Sequence, residues 1–179
     1  EKAAVGVIGD STFFHSGVTP LIDAVYNGVE GMVVILDNRI TAMTGHQGHP
    51  GSGLRPDREQ GPSVDIQRLC EGIGVRCVTV DATDHAALDA AVAEEAGAPG
   101  LGVIVALAPC VLTSREKAGE VVVDEDRCNL CGLCLDLGCP SIAPGDDAVS
   151  ILETCTGCGL CVEVCRRGAL SLVEAGSCP

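Results

Sequence analysis

Eight of the twelve cysteines lie in two short runs near the end of the chain, and their spacing restricts what this region can fold around. Each run has three cysteines separated by two residues, and a fourth follows after three or four intervening residues. Three thiolates at i, i+3 and i+6 of one loop can bind three irons of a cubane, and in proteins with two such clusters the fourth cysteine of each run binds the other cluster. The spacing therefore predicts two 4Fe–4S clusters, with the ligand sets Cys128, Cys131, Cys134, Cys165 and Cys155, Cys158, Cys161, Cys139.

Two other uses of closely spaced cysteines fit this pattern less well. Zinc takes four ligands, usually from two separated pairs, whereas here two triplets each precede a fourth cysteine. A disulfide framework requires an oxidising compartment, and we expect none because no secretory signal is recognisable. The runs depart from the bacterial two-cluster spacing at two points, since four residues precede Cys139 and Arg166 stands where a proline is typical. Neither departure removes a ligand.

The composition disfavours several classes of partner. The formal net charge is −14, so nucleic acids and anionic membrane surfaces are unfavourable partners. The longest apolar stretch, Leu101–Leu112, is far shorter than the ~20 residues of a membrane-spanning helix, and Pro109 interrupts it. We therefore expect a cytoplasmic protein. We also expect an anaerobic host, because reduced low-potential clusters react with oxygen.

Four short apolar runs, rich in Val and Ile, occur in the first 108 residues. They are apolar on both faces, which is typical of buried parallel strands. Apolar residues recur at helical spacing between them, and Ser63 and Asp84 are candidate N-caps. Parallel strands need helical crossovers, so the sequence predicts an open α/β sheet with a ligand site beyond the carboxyl ends of its strands. The predicted strands are Ala3–Ile8, Met32–Leu36, Val75–Val80 and Leu101–Leu107.

The chain is predicted to contain two domains. Residues 1–119 form the α/β domain, in which 109–119 are a linker of mixed polarity. Residues 120–179 form a small α+β ferredoxin-like domain, whose two halves are each too small to bury a core, so that the clusters supply much of its stability. Because an apolar run follows Glu1 almost directly, we expect the α/β domain to be truncated at its start.

Polar segments follow the first two predicted strands, at residues 9–17 and 38–62, and both are predicted to be loops. Asp10 and Asn38 stand at the start of these segments, and the carboxyl ends of adjacent parallel strands can present both side chains to one crevice. Hard oxygen ligands suit Mg²⁺, and the amino end of a helix expected near Val18 favours negative charge. The pattern predicts a Mg²⁺–diphosphate site. Alternatively, Asp10 is a turn residue and Asn38 a strand cap.

A glycine-aspartate pair, about thirty residues and then an asparagine form the thiamine diphosphate motif. The segments GDSTFFHSG, VVILDNRITAMTGHQGHPG and CNLCGLCLDLGCP resemble the carboxyl-terminal part of the large (alpha) subunits of indolepyruvate ferredoxin oxidoreductases. The resemblance extends over nearly the whole chain and preserves domain order. It implies a thiamine diphosphate-binding α/β domain followed by a two-cluster ferredoxin domain.

The resemblance also implies roles for particular residues. Asp10, Asn38 and the backbone carbonyl of Ile40 would bind Mg²⁺, and Gly9 and Ser11 would contact the diphosphate.

Residues of the loop at 38–62 would line the substrate pocket. His46 and Gln47 are the candidates for a catalytic role there, although His46 and His49, in an H-x2-H pattern, could instead bind a stray metal. Two positions depart from the family pattern. Ser11 replaces the second glycine of the general thiamine motif, and Gly48 stands where a proline is expected.

The activity implied by the resemblance is the oxidative decarboxylation of indolepyruvate or a related aryl pyruvate. The products are an acyl-CoA and CO₂, and electrons pass through the two clusters to an external ferredoxin. The implied partners are coenzyme A, a small (beta) subunit, and a pyrimidine-binding domain or chain that supplies the glutamate that activates the cofactor. No candidate for that glutamate is recognisable here. The alternative is an electron-carrier or docking module whose α/β half binds no cofactor.

Overall fold

The computed structural model describes residues 4–113 and 119–174. The chain forms two compact units, Glu1–Thr113 and Ser114–Pro179. The predicted linker at 109–119 lies partly outside the described residues, so the domain boundary at residue 119 stays a prediction.

The first unit contains a four-stranded parallel sheet. Its strands are β1 (Ala4–Gly9), β2 (Gly31–Asp37), β3 (Arg76–Asp81) and β4 (Leu101–Leu107). They lie in the order β1–β2–β4–β3, and every neighbouring pair is parallel, which confirms the predicted open α/β sheet. Gly9 is in register with Leu36. The residues that come next, Asp10 and Asp37, therefore lie side by side at the carboxyl edge of the sheet.

Helical structure begins directly at the end of β1. It comprises α1 (Asp10–Thr12), a π-helical segment (Phe13–Gly17) and α2 (Val18–Tyr26). The prediction of a polar loop over residues 9–17 is wrong, because Phe13 is 1% exposed and packs in the core with Leu21. Gly17 permits this packing, since a Cβ there would lie 2.8 Å from the Phe13 ring and 3.0 Å from Ile8.

Two further helices, α3 (Ile66–Ile73) and α4 (His85–Gly97), connect the remaining strands. Asp84 caps α4 by accepting the Ala87 N–H at 2.9 Å, as predicted. The prediction that Ser63 caps α3 is wrong, because the residue directly before the helix is Asp65, whose carboxylate accepts the Arg68 N–H at 2.8 Å.

The second unit contains two small antiparallel sheets and one short helix. Its elements are β5 (Gly119–Val123), β6 (Ile142–Ala143), β7 (Ser150–Ile151), α5 (Leu160–Val164) and β8 (Leu170–Glu174). Strand β5 pairs with β8, and β6 pairs with β7. The buried core of this unit is made of three aliphatic side chains and two cysteines, namely Val121, Val149, Leu170, Cys134 and Cys161. Within the described part of the chain, no helix has the length and apolar character needed to cross a bilayer.

Candidate functional site

Asp10 lies at the carboxyl end of β1, and it is 3% exposed. Its Oδ1 accepts the Ser11 N–H at 2.7 Å, and its Oδ2 accepts the Arg39 N–H at 2.9 Å. The second bond joins the segments that follow β1 and β2, so the carboxylate is held at the sheet edge. A Cβ built on Gly9 would meet no atom within 4 Å, so the space beside this backbone is open. This buried, oriented carboxylate is unlike an ordinary surface turn residue.

Asn38 and Ile40 follow β2 in a tight turn beside Asp10. The Asn38 Oδ1 accepts the Ile40 N–H at 3.0 Å, which is the hydrogen bond of an Asx turn. Next to it, the Thr41 hydroxyl donates to the Ser11 hydroxyl at 2.8 Å. The structure therefore brings together the residues that the sequence nominated for the Mg²⁺ and diphosphate site.

Asp37 is a second buried carboxylate at this edge, and the sequence reasoning did not count it as a site residue. Burial raises the pKa of its carboxyl, and a hydrogen bond with the Asp10 carboxyl raises it further, while the charge of Arg39 opposes both effects. The Arg39 guanidinium Nε lies 3.3 Å from Asp37 Oδ2, and the Arg39 N–H also donates to Asp37 Oδ1 at 3.0 Å. Both buried carboxyl groups accept the Arg39 backbone N–H, whereas the guanidinium pairs with Asp37 alone. Oxygen donors of this kind suit a divalent cation.

His49 is buried against the same carboxylate. Its Nδ1 accepts the Gly51 N–H at 3.1 Å, and its ring stacks on Phe14 with a centroid separation of 5.7 Å. Its Nε2 lies 3.0 Å from Asp10 Oδ2, yet it makes no hydrogen bond to any described group. The two atoms are close enough for a hydrogen bond, so the bond is absent because the carboxylate oxygen does not lie in the direction of the ring N–H. Sequence reasoning placed His49 in the loop but had no signal that it would be buried.

His46 and Gln47 occupy a different part of the loop, and both are exposed. Gln47 pairs with Thr41 through two backbone hydrogen bonds, and its side-chain amide donates to the Thr44 carbonyl at 2.6 Å. His46 and Gln47 line an open groove of about 600 Å³. The structure does not bring His46 into contact with Asp10, so the catalytic role of these two residues stays a prediction. Among the described residues, no group of three or more His, Cys, Asp or Glu side chains is placed to hold a single metal ion.

Two glycines let the loop at 38–62 fold on itself. A Cβ on Gly48 would collide with the backbone carbonyl of Leu54, so the proline expected from the family pattern would not fit this backbone. A Cβ on Gly51 would lie 2.6 Å from the Phe14 ring and 3.1 Å from His49. Gly51 is therefore required for the close packing that holds the histidine in place.

The eight cysteines of the two runs line two separate cavities. One cavity is lined by Cys128, Cys131, Cys134 and Cys165. The other is lined by Cys139, Cys155, Cys158 and Cys161. Each cavity thus combines three cysteines of one run with the fourth of the other, which is the grouping that the spacing predicts.

The environments of these thiols differ. Burial, followed by the charges of neighbouring thiols, raises the pKa of Cys161 to about 11. Burial also raises the pKa of Cys134, although a backbone hydrogen bond opposes it. For Cys165 the largest effect is again burial, which raises the pKa, but the backbone N–H groups of residues 167–170 together outweigh it and the pKa is lowered. One of these donors, the Ala169 N–H, is 3.3 Å from the sulfur. Donors of this kind stabilise a thiolate, which is the form that binds iron.

Comparisons with known proteins agree with both halves of this geometry. Residues 1–106 match the family described as thiamine pyrophosphate enzyme, C-terminal TPP binding domain, and residues 120–166 match the 4Fe-4S dicluster domain. The first match covers more than half of the chain, which therefore belongs to the thiamine pyrophosphate enzymes and also carries a dicluster domain. Thiamine diphosphate and 4Fe–4S clusters are the cofactors of these two domains.

The particular relatives are subunits of one kind. The chain is 39% identical over 170 residues to the indolepyruvate oxidoreductase subunit IorA of Methanothermobacter marburgensis, a match that covers 93% of this chain and 28% of the relative. The subunit IorA of Archaeoglobus fulgidus is also 39% identical, over 175 residues and with the same coverage. These matches confirm the predicted resemblance to the carboxyl-terminal part of that subunit. The chain spans less than a third of the length of these relatives.

A solved structure, the thiamine diphosphate-dependent 4-hydroxybenzoylformate decarboxylase of Rhodococcus jostii, aligns with 60% of this chain and 20% of its own chain. Its TM-score is 0.45 and its sequence identity is 22%.

Proposed function

We propose that this chain is the cofactor-binding and electron-transferring part of a 2-oxoacid:ferredoxin oxidoreductase. The substrate would be indolepyruvate or a related aryl pyruvate, and the products an acyl-CoA and CO₂. The observation that carries the proposal is the combination, in one chain, of a buried carboxylate edge suited to Mg²⁺ and two crosswise sets of four cysteines.

The residues at the sheet edge would bind the cofactor. Asp10, Asn38 and the Ile40 carbonyl would hold Mg²⁺, while Gly9 and Ser11 would contact the diphosphate. Asn38 is already fixed by its bond to the Ile40 N–H, so the turn is oriented before the metal arrives. When bound, thiamine diphosphate supplies the carbanion that makes decarboxylation of a 2-oxoacid possible.

The cysteines would bind two 4Fe–4S clusters, one in each cavity. Oxidation of the substrate releases two electrons, and a cluster accepts one electron at a time. Two clusters in one unit are therefore matched to this stoichiometry. An external ferredoxin would take up the electrons, and coenzyme A would take up the acyl group.

Other chains or segments would complete the enzyme. A pyrimidine-binding domain would supply the glutamate that activates the cofactor, and a small subunit would complete the substrate pocket. We expect the assembly to work in the cytoplasm of an anaerobic organism, where reduced clusters persist.

The test is cluster reduction by substrate. The complete, anaerobically purified enzyme should develop the EPR signal of reduced 4Fe–4S clusters when indolepyruvate is added with Mg²⁺ and thiamine diphosphate, before any ferredoxin is present. The Asp10→Asn variant should keep its clusters and reduce them with dithionite but not with indolepyruvate. An enzyme whose clusters stay oxidised with every 2-oxoacid offered would exclude the proposed function.

A further inference from the structure

The hydrogen bonds of His49 determine which of its ring nitrogens carries a proton. Nδ1 accepts the Gly51 N–H at 3.1 Å, so it must have a free lone pair. In the neutral ring the proton is then on Nε2, which is a donor.

That donor has no acceptor in the described part of the chain. His49 is 6% exposed, and Nε2 itself is completely buried. The nearest carboxylate oxygen, Asp10 Oδ2, is 3.0 Å away, but it does not lie in the direction of the N–H and therefore makes no hydrogen bond with it. A buried donor without a partner is destabilising, and such groups in native proteins usually have a reason to exist.

The surrounding residues hold this donor in one orientation. Phe14 stacks on the ring, and Gly51 packs against the ring edge without a side chain. Phe14 belongs to the helical segment after β1, whereas His49 and Gly51 belong to the loop after β2. The imidazole therefore lies between the same two segments that would bind Mg²⁺ and diphosphate.

The charges at the edge limit what kind of acceptor can approach. Asp10 and Asp37 would repel an anion, but a divalent cation bound by Asp10 reverses that effect and draws phosphate oxygens to the same place. An imidazole N–H beside such a cation is a suitable donor to a phosphate oxygen and is a poor ligand to the metal itself, because it has no lone pair on that nitrogen.

We propose that His49 is a diphosphate-binding residue, whose Nε2–H donates to a phosphate oxygen of the Mg²⁺-bound cofactor. This inference rests on the proposed function, because it requires a diphosphate at the edge formed by Asp10. The thiamine diphosphate motif of the sequence does not include this contact between a histidine and the diphosphate.

A matched pair of substitutions separates this role from a purely structural one. In His49→Gln the side-chain amide can place an N–H near the position of Nε2, but the acceptor for Gly51 is lost. In His49→Asn the amide can place an acceptor near the position of Nδ1, but the donor at Nε2 is lost. A diphosphate-binding role and a loop-bracing role therefore predict opposite orders of the two variants.

The measurement is calorimetric titration of the complete, cluster-loaded enzyme with thiamine diphosphate at fixed Mg²⁺, and separately with inorganic pyrophosphate. We expect His49→Asn to weaken both ligands by about 10- to 100-fold, because a hydrogen bond to a charged group is lost, and His49→Gln to stay within about threefold of the unaltered enzyme. The reverse order, equal losses in both variants, or no loss in either would overturn the inference. If the unaltered enzyme itself fails to bind thiamine diphosphate, the proposed function fails first.

Discussion

Replacing Asp10 by Asn tests the cofactor site with a minimal change of shape. The carboxylate accepts two backbone N–H groups, from Ser11 at 2.7 Å and from Arg39 at 2.9 Å. The amide keeps one oxygen, so one of these N–H groups must face an NH₂ group. A hydrogen bond to a charged group contributes about 1.5–3 kcal/mol. Taking about 2 kcal/mol and about 4 °C per kcal/mol for a unit of this size, we expect the unfolding temperature without cofactor to fall by about 8 °C.

The larger effect should appear with cofactor. A ligand at a hundred times its dissociation constant stabilises the unaltered protein by about 2.7 kcal/mol, or about 10 °C. With a metal ligand lost, the affinity should fall at least about 100-fold, and Asp10→Asn should show almost no shift at the same concentration.

Anaerobic scanning calorimetry with and without Mg²⁺ and thiamine diphosphate measures both quantities. Asp23→Asn, an exposed position on α2, is the matched control and should retain the full shift. If Asp10→Asn gains as much stability from the cofactor as the control does, Asp10 is not a ligand and the reasoning is refuted.

Three further predictions concern the loop and the clusters. Gly51→Ala should weaken thiamine diphosphate binding at least about tenfold by calorimetry, because its Cβ would lie 2.6 Å from the Phe14 ring and displace His49; an unchanged affinity would contradict this packing. Cys165→Ser should yield one 3Fe–4S and one 4Fe–4S cluster by Mössbauer spectroscopy, whereas two intact 4Fe–4S clusters would contradict ligation by Cys165. Arg167→Gln should lower the reduction potential of one cluster by tens of millivolts in an EPR-monitored titration, because Arg167 lines the cavity of that cluster. The control variant Arg166→Gln should shift the potential much less, and equal shifts in the two variants would count against a local effect of Arg167.

Much of the fold follows from patterns that sequence alone displays. The apolar runs of β2 and β4 are mostly buried, as predicted, whereas β1 lies at an edge of the sheet and leaves Val5 59% and Val7 64% exposed. The cap at Asp84 was recognisable because it directly precedes its helix. The prediction of a loop after β1 is wrong because Ser, Thr and His in that segment obscure the buried Phe13. The spacing of Phe13, Gly17 and Leu21 was the available signal for a helix there.

Some features of the candidate site were likewise predictable from the sequence, and others were not. The spacing of the eight cysteines predicts the same two groups of four that line the two cavities. This is possible because a 4Fe–4S cubane imposes a strict geometry on its ligands. The buried position of His49 was not predictable, since no local pattern shows which polar residues of a long loop fold inward, and the burial of Asp37 at the end of β2 depends on its neighbours at the sheet edge. Their burial results from contacts across the chain, with Asp10 and with Phe14.

The most direct test of the account is the cofactor content of the anaerobically purified, complete enzyme. After incubation with Mg²⁺ and thiamine diphosphate and removal of free ligand, this part of each polypeptide should account for about eight iron atoms, about eight acid-labile sulfides and about one thiamine diphosphate. Iron and sulfide without any retained thiamine diphosphate would contradict the claim that the two halves serve one reaction. A sample that contains zinc and no labile sulfide would contradict it altogether.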